Sequence, residues 1–343
     1  MGGRARRVRA AAALGVLGVL GVLGLGVFAG RSPAGASTGL DGPVALVATS
    51  ADVWVASAGN SSLSAFSVAR VAPVGSVVAR PANGLADPTA LAVAGSELWV
   101  ADRTTSALSV FDAGTGRHRR TVHVARRDLV TPVALAAARG VVWAADAAGT
   151  LVALDARTGR VVHVVRPSRA NALSSPRALV VVGGRLWVLD EGTASLTILD
   201  ARTGRLVHVV RPSASRLSAP VGLAAAGRRV YVTNAGSKSL SVFAAVSARR
   251  VAVVAAGRDR LDSPWGIAAA AGRVYVTDAA GNALTILDAR TGGLVRVLRG
   301  AVYHLDDPLA VCVAGPWVWV LNGAGNSISV IGARSLRLER LLG

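Results

Sequence analysis

From Leu40 onward, short apolar runs alternate with brief turns rich in Gly, Asp, Asn, Ser and Thr. The stretch beginning at Pro176 shows the pattern most clearly. Residues 178–182 (ALVVV) form a continuous run of small apolar side chains, which marks a strand buried on both faces. Gly183-Gly184 then turns the chain, and residues 185–189 alternate around Trp187. A second turn, Asp190-Glu191-Gly192-Thr193, leads to a third strand over 195–199. Asp200-Ala201-Arg202-Thr203-Gly204 makes a hairpin turn, and residues 206–210 complete a fourth strand. Short β-rich runs separated this regularly by turn residues predict an all-β protein. No stretch after residue 37 carries helical periodicity.

This four-strand unit recurs. Prolines stand at 43, 88, 132, 176, 220, 264 and 308, the first two 45 residues apart and the rest 44. A leucine precedes each by three positions (Leu40, Leu85, Leu129, Leu173, Leu217, Leu261, Leu305), and an aromatic follows each by eleven (Trp54, Trp99, Trp143, Trp187, Tyr231, Tyr275, Trp319). Seven registered copies of one supersecondary unit predict a repeat architecture in which each unit buries its apolar face against its neighbours. Four antiparallel strands per unit predict a seven-bladed β-propeller over residues 37–343. The last copy already holds all four of its strands, so the ring is expected to close by packing, without strand exchange.

Some blade motifs resemble a known group. Tyr231-Val232-Thr233-Asn234 reads YVTN, Tyr275-Val276-Thr277-Asp278 nearly so, and Pro264-Trp265-Gly266-Ile267-Ala268 follows P-x-G-[LI]-A. These resemble YVTN and NHL-type propellers over 40–343, a resemblance that implies the fold and says little about activity. Virginiamycin B lyases are similar in fold, and that likeness implies a His and Glu pair with Mg²⁺ at the ring centre. No such pair can be placed here, nor the acidic and amide ligands of gluconolactonase-like propellers. The Asp-x-x-Thr-Gly turns at Asp112, Asp155, Asp200 and Asp288 resemble those of quinoprotein propellers, but other blade signatures of that group are missing and no quinone or other cofactor is assigned.

The N-terminus has a different character. Arg4, Arg6, Arg7 and Arg9 precede an uncharged run over 10–30, followed by Ala34-Gly35-Ala36. A basic leader, an apolar core and a small-x-small site make residues 1–36 an export signal, or a membrane anchor if uncleaved. The expected location is extracytoplasmic, secreted or attached to the cell membrane. No cysteine near the run would support a lipid anchor, and Arg6-Arg7 raises twin-arginine export as a minor option.

Charge narrows the partner class. The formal charge is +19 over 343 residues, with Lys238 the only lysine. Cleavage after Ala36 would remove five arginines and leave +14. Such an excess favours anionic partners. The single cysteine, Cys312, lies in an apolar strand and reads as a small buried hydrophobe.

Two repeated positions have structural explanations. The aromatics recur inside apolar strands, which fits packing between blades. Ser57, Asp102, Asp146, Asp190, Asn234, Asp278 and Asn322 share one register and fit side chains that cap a turn. Candidate binding residues lie elsewhere. The connections between units open with arginine at 80, 126, 166, 211, 258 and 299, and a rim of Arg126, Arg166, Arg211, Arg258 and Arg299 would hold a polyanion in a salt-dependent way. The residue after each proline is expected to face the axial channel, and there Arg177 and Trp265 break an otherwise mostly apolar set. Among five histidines, only His304 falls in a rim loop, beside Tyr303, Asp306 and Asp307.

No catalytic constellation or metal site is assigned. The chain reads as an exported, monomeric binding or scaffold module at the cell envelope. Its rim loops would recognise a partner protein or an anionic polymer, with nucleic acid less favoured and membrane contact expected only through residues 10–30. The alternative is a lyase- or lactonase-like enzyme using His304 and a divalent metal at the ring centre.

Overall fold

The computed structural model describes residues 39–212, 217–255 and 261–343. The export segment foreseen at 1–36, Arg258, and parts of the loops at 211–219 and 257–263 lie outside them. Within them the protein is all-β. Seven sheets each contain four consecutive strands in antiparallel order, which is a seven-bladed propeller. Its fourth blade consists of β13 (Pro176–Val182), β14 (Arg185–Asp190), β15 (Ser195–Asp200) and β16 (Leu206–Val210).

Pairing register defines two faces. In that blade Pro176 pairs with Asp190, and Asp190 with Ser195, at one edge of the sheet. Val182 pairs with Arg185, and Arg185 with Asp200, at the other edge. The connections between blades and the turns between second and third strands therefore share a proline face. The tight turns after first and third strands share the opposite, hairpin face.

Burial follows the repeat. Trp99, Trp187 and Trp319 are completely buried, and Trp54, Trp143, Tyr231 and Tyr275 nearly so. Each packs into the interface with the following blade: Trp187, for example, lies with Val232 and Phe243 of the fifth blade. The indole N–H groups of Trp54 and Trp143 donate to the carbonyls of Ala113 and Ala201 in the next blade, each at 2.9 Å. The Tyr231 hydroxyl donates likewise to Ala289 at 2.8 Å.

The ring closes as expected, without strand exchange. Leu46 and Phe66 of the first blade pack against Trp319 and Ile328 of the seventh. The Trp317 indole donates to the Val68 carbonyl at 3.1 Å, and the Arg340 guanidinium to the Val71 carbonyl at 2.8 Å.

In the four blades where it is aspartate, the polar position three residues beyond the aromatic does more than cap a following turn. Asp190 Oδ1 accepts from the backbone N–H and hydroxyl of Thr193, while Oδ2 accepts from the N–H groups of Ser174 and Ser175. Asp102, Asp146 and Asp278 likewise bind the two residues that precede their own blade's first strand. The carboxylate thus fixes the incoming loop to the sheet, which a reading of the local turn alone had not included.

Candidate functional site

The inner strands surround an axial channel, and a backbone irregularity decides what lines its proline mouth. In the fourth blade, pairing runs from Pro176 with Asp190 directly to Ala178 with Leu189, so Arg177 is skipped. The same register shift follows the opening proline in every blade. A bulge leaves one residue unpaired and re-aims its side chain. This is the physical basis for the distinct character of the position after each proline.

Arg177 and Trp265 meet there. They belong to the fourth and sixth blades, yet the Arg177 guanidinium lies 4.8 Å from the Trp265 ring centroid. Arg177 Nη1 donates to Glu191 Oε2 at 2.7 Å; the Arg177 side chain is 11 % exposed and that of Glu191 42 %. A guanidinium over an indole gains most when water is excluded, and this one is largely covered. The indole Nε1 of Trp265 is itself buried without an acceptor among the described residues. The pair, with Glu191, forms a compact cation, aromatic and anion stack at the centre of the proline face.

Close approach of neighbouring inner strands sets this geometry. A Cβ on Gly222 would sit 2.5 Å from the Trp265 carbonyl oxygen, and one on Gly266 2.5 Å from that of Leu309. The glycine of the P-x-G-[LI]-A opening is therefore a packing requirement. It lets the inner strand of one blade lie against that of the next.

The rim residues do not converge on this stack. Arg166 pairs with Asp128, Arg103 with Asp87 and Lys238 with Asp262. Arg211 donates to the Arg169 carbonyl at 3.0 Å, while Arg126 and Arg299 are exposed. His304, with a φ of 49°, lies in a separate pocket of about 560 Å³ with Asn282, Asp306 and Leu341. Leu341 belongs to the outermost strand of its blade, so this pocket is peripheral and His304 stands away from the ring centre where the enzymatic alternative needs it. Beside it, burial and the neighbouring Asp306 carboxylate push the Asp307 carboxyl above its usual range. Among the described residues, no three His, Cys, Asp or Glu side chains stand together as metal ligands.

At the hairpin face the channel widens to a well of about 900 Å³. Its wall is mostly alanine, valine and glycine, including Ala48, Val93, Ala137 and Val181, with Arg139 at the edge. Among the described residues lining this well there is no histidine, cysteine or glutamate.

The family of the outer membrane protein assembly factor BamB matches residues 41–297. The chain belongs to this family. The YVTN and NHL resemblance thus rests on the blade motifs alone, while the shared propeller architecture stands. No curated protein matches the sequence. Among solved structures, the hydrazine synthase of Kuenenia stuttgartiensis superposes with a TM-score of 0.69 at 17 % identity, over 90 % of this chain and 99 % of that one. The computationally designed Ika8 protein gives 0.64 at 16 %, covering 88 % and 87 %. U3-55K gives 0.66 at 12 %, covering 81 % and 87 %. At these identities the likeness is one of fold. Among the described residues, no helix is long and apolar enough to cross a membrane.

Proposed function

We propose that the chain is an exported propeller that acts as a binding and scaffold module in the cell envelope, with a partner protein held on its proline face. The observation that carries this reading is the Arg177–Trp265–Glu191 stack at the centre of that face. Tryptophan and arginine in a covered central position are the residue types that dominate protein interfaces. Around the stack, carboxylates such as Asp190 hold the entering loops, so the surface is ordered before a partner arrives. Two of the rim arginines that suggested a polyanion, Arg166 and Arg211, are matched by an acid and a carbonyl, which turns the reading toward a protein.

Family membership supports the same role, since the matching family is that of an outer membrane protein assembly factor. Export rests on the basic leader, apolar core and Ala34-Gly35-Ala36 site within residues 1–36. The YVTN-type motifs support a propeller of that kind, and a monomer fits a ring that buries its own interfaces.

Affinity capture from envelope extract tests the proposal. The wild-type chain is compared with R177A and W265L at low and high salt. Partner recovery should fall at least tenfold in either variant and change little with salt, because rim charges contribute little to a buried hot spot. Equal recovery by wild type and both variants would remove the stack from the binding surface.

A further inference from the structure

The hairpin face carries a second repeated irregularity. In the fourth blade Leu199 pairs with Leu206 and Ile198 with His208, so Val207 is left outside the ladder just after the hairpin turn. The same skip leaves out Val162, Val251 and Val295 in the third, fifth and sixth blades, and Val74 in the first. All five are exposed, by 43 % at Val74, 44 % at Val162 and Val207, 53 % at Val251 and 43 % at Val295. Singly exposed valines are ordinary. One register position that turns a valine outward in five blades is a pattern.

Arginines accompany them. The adjoining turns place Arg157, Arg160, Arg202, Arg205, Arg249 and Arg290 in solvent. Among the described residues, none of these six has a carboxylate partner at ion-pair distance. Asp155, Asp200 and Asp288 share the turns and offset part of the charge. Their carboxylates remain ionised, held below the usual range by hydrogen bonds from Thr158, Thr203 and Thr291. The second blade provides the contrast. There the skipped residue is Arg119, and Glu97 and Asp112 pair with Arg119 and Arg120. Outward valine and unpaired arginine thus occur together, over the third to sixth blades.

We propose that this arc of the hairpin face docks on a bilayer surface rich in anionic phospholipid. The turn arginines would engage headgroup phosphates, which guanidinium groups bind bidentately. The bulged valines would enter the shallow interface below them. The features lie along the edge of one face of a rigid disc, so a planar surface can meet several at once. They are separated by charged turns, so they form no continuous apolar patch of the size a stable protein interface needs. A soluble anionic polymer would satisfy the arginines and leave the valines in water. This contact is independent of residues 10–30.

The test uses the full chain with a single introduced cysteine carrying an environment-sensitive fluorophore. Cys312 is buried, so labelling is confined to the new site. V207C reports the hairpin face, and T104C reports the exposed turn after the second strand of the second blade, on the proline face. On vesicles of phosphatidylglycerol and phosphatidylcholine, the label at 207 should shift to the blue and the label at 104 should not. Vesicles of phosphatidylcholine alone should leave both unchanged. In R157Q/R160Q/R202Q/R205Q, partitioning should weaken by about fivefold for each arginine removed. R202Q/R205Q serves if the fourfold variant lacks the native β circular dichroism. The proposal is overturned by no shift at 207, by equal shifts at both positions, or by a shift on phosphatidylcholine alone. A shift produced by soluble polyphosphate without vesicles would overturn it in favour of a polymer-binding face.

Discussion

At the residue scale, the hairpin turns link ionisation to stability. Asp155 and Asp200 each accept a backbone N–H and a hydroxyl from a threonine three residues on, Thr158 and Thr203, and Asp288 does the same with Thr291. These bonds favour the ionised carboxylate and lower its pKa in the folded state. A depressed folded pKa contributes stability that is complete above the unfolded value, near 4, and lost as pH falls through the folded one. Melting temperature should therefore drop on acidification below about pH 4. In D155N/D200N/D288N that drop should be shallower, because amides do not titrate there. Parallel melting curves for both proteins from pH 6 to pH 2 would sink the idea. The turn sequence was legible because Asp-x-x-Thr-Gly bonds locally. The second set of bonds made by Asp190, to residues 174 and 175, was not, because it joins residues that only the folded blade brings together.

Element by element, the seven second-strand aromatics occupy one register but are not energetically equal. Trp143 gives its indole N–H to the Ala201 carbonyl of the next blade. Trp187, equally buried, has no acceptor for its own among the described residues. Truncation to phenylalanine removes similar apolar area at both sites, but only at 143 does it break a hydrogen bond to a part-buried carbonyl. W143F should therefore cost about 1 kcal/mol more than W187F, the ordinary net value of such a bond. Urea unfolding of the two variants measures the difference, and equal costs would deny the bond any net stabilising role. The aromatic positions themselves were open to inspection, as were strand boundaries, since period-two patterning and turn residues mark both. The bulges at Arg177 and Val207 were hidden. A bulge is a property of pairing between two strands, and nothing in the composition of either strand announces it. That explains why the sequence could single out Arg177 and Trp265 by their departure from an apolar set, yet could not show that they stack. It also explains why the basic surface was sought on the proline rim and the bulged valines of the hairpin face were missed.

For the whole molecule, the decisive feature is that one of seven interfaces differs from the rest. Six join blades that are also linked by chain, whereas among the described residues the seam between the first and seventh blades is held by side chains and hydrogen bonds alone. Opening any linked interface must also disturb the loop that spans it. Opening the seam separates the apolar cluster that includes Leu46, Phe66, Trp319 and Ile328, with loss of the Trp317 and Arg340 hydrogen bonds and of the one from the Gly42 N–H to Asn326 Oδ1. Local opening follows the weakest cooperative boundary, so the ring should open first at the seam. Native-state hydrogen exchange should then find the amides of the first and seventh blades less protected than those of the third and fourth. W317F/R340A, which removes the two side-chain donors, should widen that gap while leaving the third and fourth blades unchanged. Uniform protection in wild type, or loss spread evenly over all blades in the variant, would mean that the ring opens only by global unfolding. The seam would then be as strong as the interfaces the chain itself ties together.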